Sequence, residues 1–119
     1  AAVAAIYPPV DFRPTARATS PDVTNTRYPA LDFDLSEVEA YSPIMHVSSD
    51  DPPTLLVHGD SDSLVDVSNS YDLFAVFQEH SVESKLVIVP GAGHGFHGDD
   101  LVLATSEIVD WFAQHLIPQ

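Results

Sequence analysis

Three short apolar runs mark the chain, and each is followed by a turn or loop rich in proline, glycine or aspartate. The runs are Val3–Tyr7, Thr54–His58 and Lys85–Val89. The first run is all apolar, which is typical of a strand buried on both faces of a parallel sheet, and the third is rich in β-branched residues. Pro8 and Pro9 end the first run, because proline cannot donate a hydrogen bond to a neighbouring strand. The pattern predicts three strands, of which the first two are buried.

Apolar residues at helical spacing follow the second and third runs. The first such segment extends from about Val67 to His80, and Asp66 is in position to cap it. Its predicted buried face consists of Val67, Tyr71, Phe74 and Phe77. The second segment begins near Asp99, a good N-cap residue. Its predicted buried face consists of Leu101, Ala104, Ile108, Trp111 or Phe112, and Leu116.

The order strand, helix, strand, loop and helix indicates an α/β architecture with a parallel sheet. We predict a single partial domain over residues 1–119, with a three-stranded parallel sheet and flanking helices. An irregular, cap-like insertion is expected at about residues 12–46, because prolines interrupt any periodicity there. Near its end, Asp34–Tyr41 is predicted as a short helix that stops before Pro43.

A sheet of only three strands leaves an apolar edge. If the strands lie side by side, Val3–Tyr7 is predicted to be an unpaired edge strand, which promotes association in water. We therefore expect this strand to pair with a second copy of the chain, to take part in an exchange of elements, or to bind a companion segment.

The composition excludes several functional classes. The formal net charge is −14, with 4 Lys and Arg against 18 Asp and Glu. This balance argues against binding nucleic acid or an anionic membrane surface, because such binding needs cationic side chains to neutralise phosphates. The absence of cysteine excludes disulfides, thiolate metal ligands and a cysteine nucleophile. No apolar run is long enough to span a membrane, and the composition is typical of a soluble globular protein.

The amino terminus has no features of a targeting segment. It begins with Ala1 and lacks the basic residues that open a signal peptide. Because the chain opens directly in an apolar strand, we expect it to be part of a longer polypeptide.

Candidate chemical groups follow two of the predicted strands. Asp60 and Asp62 come after the central strand, and His94 comes after the third. Each of these side chains thus lies on a loop just past the end of a predicted strand. An acid and a histidine are two of the three groups in a nucleophile–base–acid system. His58, at a strand end, is expected to be a core residue that supports the acid loop.

The same region offers a metal-binding alternative. His94 and His97 stand close in sequence to Asp99 and Asp100, and such side chains suit hard or borderline cations. The spacing differs from the helical His-Glu-x-x-His zinc motif, and no third ligand at a distance is evident. We therefore predict no metal site.

Two motifs together resemble the α/β-hydrolase family, in particular its esterase, lipase and prolyl-oligopeptidase-like serine hydrolases. They are Gly59-Asp-Ser-Asp-x-x-Val65 and Pro90-Gly-x-Gly-His-Gly-Phe96. The resemblance implies that the chain is the carboxy-terminal part of that fold and that its three runs are the sixth, seventh and eighth strands. It also implies that Asp62 is the catalytic acid and His94 the base, so we expect their side chains to lie within hydrogen-bonding reach. Asp60 is expected to be a local turn residue, with the role of the acid as its alternative. The resemblance implies no organic cofactor. A further hypothesis places Phe96 and Tyr41 in an acyl pocket.

The nucleophile of that family has no counterpart here. Its serine lies in a Gly-x-Ser-x-Gly turn, and no serine of this chain stands in such a frame. The resemblance implies that the nucleophile and the oxyanion hole belong to a preceding segment or a companion chain. The local serines weighed as replacements are Ser42, Ser48, Ser49, Ser61 and Ser63. None has the strained turn that exposes and orients a hydroxyl, so we do not expect an internal nucleophile.

The sequence thus leaves three functional hypotheses. The first is the carboxy-terminal part of a serine carboxylic-ester hydrolase that acts on a small ester and supplies Asp62 and His94. The second is a non-catalytic, self-associating α/β module that dimerises through Val3–Tyr7. The third is a small hydrolase whose active site is rebuilt at a dimer interface.

Overall fold

The three predicted strands form one parallel sheet in the computed structural model, which describes residues 1–13 and 35–118. The strands are β1 (Val3–Ile6), β2 (Thr54–Gly59) and β3 (Ser84–Val89). β2 lies between β1 and β3, and both pairings are parallel. The predicted α/β fold is confirmed, and each strand differs from its predicted bounds by one residue at one end.

The three strands differ in burial. Every residue of β2 is buried, since it has a strand on each side and helices above and below. In β1, Val3 and Ile6 are 40% and 38% exposed, and β3 is mostly half-buried. The prediction that β1 is buried on both faces is therefore wrong, whereas the prediction of a buried β2 is confirmed. Within the described residues, β1 and β3 are each an edge.

Among the residues that the structure describes, five helical elements connect and cover the strands. Two 3-10 turns, Leu35–Glu37 and Pro43–His46, flank the short helix α1 (Val38–Tyr41). The two longer helices are α2 (Ser68–Glu79) and α3 (Gly98–Leu116). The short helix predicted over 34–41 is confirmed from residue 35 onward, as a 3-10 turn followed by α1. No helix of the described ranges is long and apolar enough to cross a membrane.

Alternation along β2 produces two apolar clusters, one on each face of the sheet. Leu55 and Val57 point to the α3 face, and Leu56 points to the α2 face, as the two-residue period of a strand requires. The buried members of the α3 cluster are Leu55, Val57, Val89, Ala92, Phe96, Ala104 and Trp111. The buried members of the α2 cluster are Val10, Leu56, Leu73, Phe77 and Val82.

The buried face of α2 is rotated from the predicted one. Leu73 and Phe77 are buried against the sheet, whereas Tyr71 is half exposed and Phe74 is only partly buried. The N-cap of α2 is Val67, which makes no side-chain capping bond, so Asp66, the predicted cap, lies one residue before the N-cap. Its Oδ1 accepts a hydrogen bond from the Ser68 amide at 2.9 Å.

Helix α3 begins one residue before the predicted N-cap. Gly98 opens the helix with a φ of +55°, a conformation that suits glycine. Asp99 is therefore not the N-cap. It lies with Asp100 in the first turn, where the helix dipole interacts favourably with negative charge. The preceding residue, His97, makes no side-chain capping bond.

The predicted face of α3 is confirmed only in its middle. Ala104 and Trp111 are buried, and Ile108 packs against the same cluster, but Leu101 and Leu116 are more than half exposed. A helix of 19 residues is about 28 Å long, whereas six-residue strands span about 20 Å, so the helix ends extend beyond the described sheet.

The predicted insertion at 12–46 is described only at its two ends, because residues 14–34 lie outside the described residues. Ser42 joins these ends and is completely buried. Its Oγ donates a hydrogen bond to the Val38 carbonyl at 2.6 Å and accepts one from the Phe12 amide at 2.9 Å. A serine weighed as a possible nucleophile therefore has a structural role.

Candidate active site

The acid loop follows β2 and turns back on itself around Asp62. The Asp62 carboxylate is held by the loop, because its Oδ1 accepts hydrogen bonds from the amides of Leu64 at 2.9 Å and Val65 at 2.8 Å. The residue is only 7% exposed. These two bonds use one oxygen and fix the direction of the other, Oδ2.

His58, the penultimate residue of β2, lies beneath this loop and is fully buried. Its Nε2 donates to the Val65 carbonyl at 2.8 Å, and its Nδ1 contacts the Ser70 hydroxyl at 2.7 Å. Because a carbonyl oxygen only accepts, Nε2 must carry a proton. Nε2 also lies 3.3 Å from Asp62 Oδ2. The expectation that His58 is a core histidine supporting the acid loop is confirmed.

The histidine loop follows β3 and packs directly on the acid loop. Ala92 accepts a hydrogen bond from the Ser61 amide at 3.0 Å, and Asp60 Oδ1 accepts one from the Gly91 amide at 2.6 Å. Gly59 permits this close approach, since a Cβ there would lie 2.2 Å from the Ala92 carbonyl oxygen. Asp60, expected to be a local turn residue, instead joins the two loops.

The two loops bring Asp62 and His94 together. His94 Nδ1 lies 2.9 Å from Asp62 Oδ2, which confirms the predicted hydrogen-bonding reach of these side chains. An ionised carboxylate only accepts hydrogen bonds, so Nδ1 is the donor. The His94 side chain is 31% exposed, and its Nε2 makes no hydrogen bond within the described ranges. A proton acceptor with a fixed tautomer therefore faces the surface.

The surroundings of Asp62 favour its ionised form. Burial acts to raise the pKa of this carboxyl, but hydrogen bonds from the Val65 amide, His94 and the Leu64 amide oppose burial and outweigh it. The pKa of Asp62 is therefore below its ordinary value. At neutral pH the group is a carboxylate that can orient an imidazole and stabilise its positive charge.

Beside His94 lies a pair of aromatic rings, those of Tyr7 and Phe96, that the sequence did not predict. The Tyr7 ring lies with its centroid 4.2 Å from that of the imidazole, at an interplanar angle of 50°. The same ring meets Phe96 edge-on at 5.4 Å. Tyr7 was expected only as the last residue of a strand, and no local signal links it to a loop late in the chain.

The other candidates of the sequence are placed elsewhere. Ser48 is exposed and bonds Asp50, and no serine hydroxyl of the described segments hydrogen-bonds His94. Among those segments, no group of three or more His, Asp or Glu side chains is arranged to hold a metal ion. Of the two residues suggested for an acyl pocket, Phe96 packs on Tyr7, and Tyr41 is 52% exposed.

Comparison with known families identifies the relatives of this arrangement. A sequence model of the prolyl oligopeptidase family matches residues 1–119, the entire chain. The chain belongs to the prolyl oligopeptidase family. This member is 33% identical over 92 residues to acylamino-acid-releasing enzyme 1 of Oryza sativa subsp. japonica. It is 29% identical over 79 residues to the uncharacterized peptidase YuxL of Bacillus subtilis.

These alignments cover 76% and 63% of the family member described here, but only 12% of each relative. The chain thus spans about an eighth of the length of the curated relatives that it matches.

Solved structures of similar fold are also longer than the chain. A truncated carbohydrate esterase from gut microbiota has a TM-score of 0.74 and 27% identity, over 96% of the chain and 42% of that structure. An esterase of Thermogutta terrifontis has a TM-score of 0.75 over 99% of the chain and 44% of that structure. Its identity is 21%, so this second likeness shows the fold alone. The prolyl oligopeptidase family member thus has part of an α/β-hydrolase fold.

Proposed function

We propose that this chain is the carboxy-terminal portion of a serine hydrolase that cleaves small carboxylic esters, with Asp62 as the acid and His94 as the base. The observation that carries the proposal is the 2.9 Å contact between His94 Nδ1 and a buried Asp62 carboxylate whose other oxygen is held by two backbone amides. The nucleophilic serine belongs to a segment outside residues 1–119, either on the same polypeptide or on a companion chain.

The chemistry assigned to the two residues follows from their protonation states. With its Nδ1 proton directed at Asp62, His94 presents the Nε2 lone pair to a serine hydroxyl and removes its proton during attack on the ester carbonyl. Asp62 stabilises the resulting imidazolium. His94 then returns the proton to the leaving alcohol, and an acyl-enzyme forms. In the second half, His94 activates water in the same way, and the carboxylic acid is released.

One observation supports an ester as the substrate. The fold is shared with proteins named as esterases, and the truncated carbohydrate esterase is among those with more than 25% identity. The family and the Oryza relative are named for action on peptides or acylated amino acids, and peptides therefore form the natural comparison substrate. Both reactions use the same base and acid, because each passes through an acyl-enzyme.

The first experiment identifies the nucleophile. Protein purified from its natural source is treated with a fluorophosphonate probe, and the intact mass of every labelled polypeptide is measured beside an active control hydrolase. We expect the label on a serine outside residues 1–119, in a longer form of the chain or a co-purifying polypeptide. Absence of label, or label on one of the serines of this chain, would contradict the proposal.

The second experiment tests the two assigned residues in the labelled assembly. We expect His94→Gln to lower kcat for p-nitrophenyl acetate by about a thousandfold or more. The matched control is His97→Gln, because His97 is an exposed histidine of the same loop that makes no side-chain capping bond. We expect this control to retain the wild-type rate. An acyl-amino-acid anilide assayed in parallel determines whether esters are the preferred substrate.

A second candidate function is a non-catalytic module that associates through β1. It is favoured by the exposure of Val3 and Ile6 on the edge of the described sheet. This candidate predicts a stable dimer of the chain without hydrolytic activity. Light scattering across micromolar concentrations tests it, and Val3→Lys, which places a charge on the edge, is expected to shift the dimer toward monomer.

A further inference from the structure

Tyr7 has a backbone conformation that its sequence does not favour. Its φ is +41°, in the left-handed region, where a residue with a side chain is strained by about 1 kcal/mol or more. The next residue is Pro8, which favours extended backbone for the residue before it. Such a conformation persists only when surrounding contacts hold it. One of these is the hydrogen bond from the Tyr7 amide to the Val57 carbonyl at 2.7 Å.

This backbone turn accompanies the contact with the candidate base. The half-buried Tyr7 ring packs on His94 at 4.2 Å between centroids and on the buried Phe96 at 5.4 Å. Phe96 belongs to the α3 cluster, and Tyr7 packs against that cluster as well. The ring is therefore supported by the core on one side, and it contacts the imidazole on the other.

We propose that Tyr7 is a positioning residue for His94, an inference that rests on the proposed function of this histidine as a base. Asp62 fixes the imidazole at one atom, Nδ1, and a single hydrogen bond leaves the ring free to tilt about it. The Tyr7 ring restricts that tilt by contact with the imidazole. Its electron-rich face also favours the imidazolium that forms when His94 takes a proton, because an aromatic ring within about 6 Å attracts a cation.

Three substitutions separate this role from simple packing. Tyr7→Phe keeps the ring and removes the hydroxyl, and Tyr7→Leu keeps apolar bulk and removes the ring. Tyr7→Gly also removes the ring. Because glycine adopts a positive φ without strain, this variant introduces no backbone strain at residue 7. The control is Tyr71→Leu, which removes a half-exposed tyrosine of α2 on the other face of the sheet.

The first readout is the proton resonance of His94 Nδ1–H in the chain of 119 residues, with folding checked by circular dichroism. A proton held between imidazole and carboxylate is shifted downfield and exchanges slowly with water. We expect the resonance in the wild type, Tyr7→Phe and Tyr71→Leu, and we expect exchange broadening in Tyr7→Leu and Tyr7→Gly. A folded Tyr7→Leu variant whose resonance matches the wild type would overturn the proposal.

The second readout is hydrolysis by the complete assembly. We expect Tyr7→Leu to lower kcat about tenfold with little change in KM, and Tyr7→Phe to restore most of the rate. If His94→Gln abolishes activity while Tyr7→Leu retains the full rate, the role of Tyr7 is wrong and the proposed function stands. If His94→Gln retains activity, the proposed function is wrong. The resonance of His94 Nδ1–H then decides by itself whether Tyr7 holds the imidazole in place.

Discussion

The Asp62 carboxylate lies between two histidines, His58 on its inner side and His94 on its outer side, whose surroundings differ in burial and in hydrogen bonding. On its inner side, His58 and Ser70 are completely buried, and both ring nitrogens of His58 have partners. On its outer side, His94 is 31% exposed and only Nδ1 has a hydrogen-bond partner within the described chain. Two histidines thus lie close to one carboxylate oxygen, at 3.3 and 2.9 Å, in opposite environments.

The difference shows how stability and reactivity are distributed around one acid. Both ring nitrogens of the inner histidine, His58, already have hydrogen-bond partners. This residue therefore stabilises the acid loop and has no nitrogen available to a substrate. The outer histidine is held at one atom and open at the other, which is the arrangement that general base catalysis requires. Substitutions on the inner side should therefore lower stability, and those on the outer side should change the site with little loss of stability.

The largest effect on stability is expected at the junction of the inner and outer sides. Gly59→Ala would place a Cβ 2.2 Å from the Ala92 carbonyl oxygen, so the two loops must separate. We expect the free energy of unfolding to fall by about 3 kcal/mol or more in urea denaturation. Gly93→Ala is the control, because the nearest atom to its new methyl group is 3.9 Å away. Equal stability of the two variants would show that the loops are not tightly packed.

The inner side is tested by His58→Leu. This change keeps apolar volume but leaves the Val65 carbonyl and the Ser70 hydroxyl without their partner. We expect a loss of about 2–4 kcal/mol of unfolding free energy, since buried polar groups would be left unsatisfied. His80→Leu, at an exposed histidine after α2, should change it by less than about 0.5 kcal/mol. A neutral effect at His58 would remove the contrast between the inner and outer histidines.

The acid itself is tested through pH. Because the pKa of Asp62 is lowered in the folded state, its carboxylate contributes stability above the unfolded pKa of about 3.9, and this is lost as the pH falls through the folded value. We expect Asp62→Asn to lose about 1–2 kcal/mol at neutral pH and to show a flatter stability profile below pH 5. Denaturation series between pH 3 and 7 measure both. An unchanged acid profile would mean that other carboxylates dominate it.

The connection between the loops on the outer side is tested by Asp60→Ala. Its bond to the Gly91 amide is exposed, so we expect a loss of only about 0.5 kcal/mol. The local effect should be larger, with faster hydrogen exchange at Gly91 and at the neighbouring His94 loop. Asp72→Ala removes an exposed carboxylate of α2 and should leave both quantities unchanged. Slow exchange at Gly91 in Asp60→Ala would show that the loop does not need this bond.

The smallest effect is expected far from both sides, at His115. Its hydrogen bond with Glu83 and its contact with the Trp111 carbonyl raise the pKa of His115. A raised value means that the stabilisation is complete below the unfolded pKa and is lost as pH rises through the folded value. We expect Glu83→Gln to reduce this small dependence between pH 6 and 8, as measured by NMR titration and denaturation, because only the Trp111 carbonyl contact remains. An undiminished dependence would show that Glu83 is not its main cause.

The acid and histidine pair was predicted because two short motifs, at residues 59–65 and 90–96, resemble those of the α/β-hydrolases. Each residue follows an apolar strand, and parallel strands carry their ends to the same edge of a sheet. Tyr7 escaped prediction because its contact with His94 depends on the pairing of β1 with β2 and on a positive φ before proline. Neither feature leaves a pattern in the neighbouring residues.

The sequence predicted where the helices form better than it predicted which face of each helix is buried. Apolar spacing defines a stripe on α2, but that stripe is wide enough to include both Tyr71 and Leu73. The position of the sheet selects which part of it is buried, and this choice favours Leu73. The start of α3 also differs from the predicted one, because Gly98 has a positive φ that the spacing of apolar residues does not predict.

Trp111, the single tryptophan of the chain, makes the molecule its own fluorescent reporter. The indole is buried in the α3 cluster, and within the described ranges its Nε1 has no hydrogen-bond partner. Such an indole emits at short wavelength, and emission moves to the red when water enters the cluster. The His115 ring lies 4.1 Å away, and protonated imidazole quenches indole emission. Wavelength therefore reports on the opening of the core, and intensity reports on the charge at the end of α3, without any attached dye.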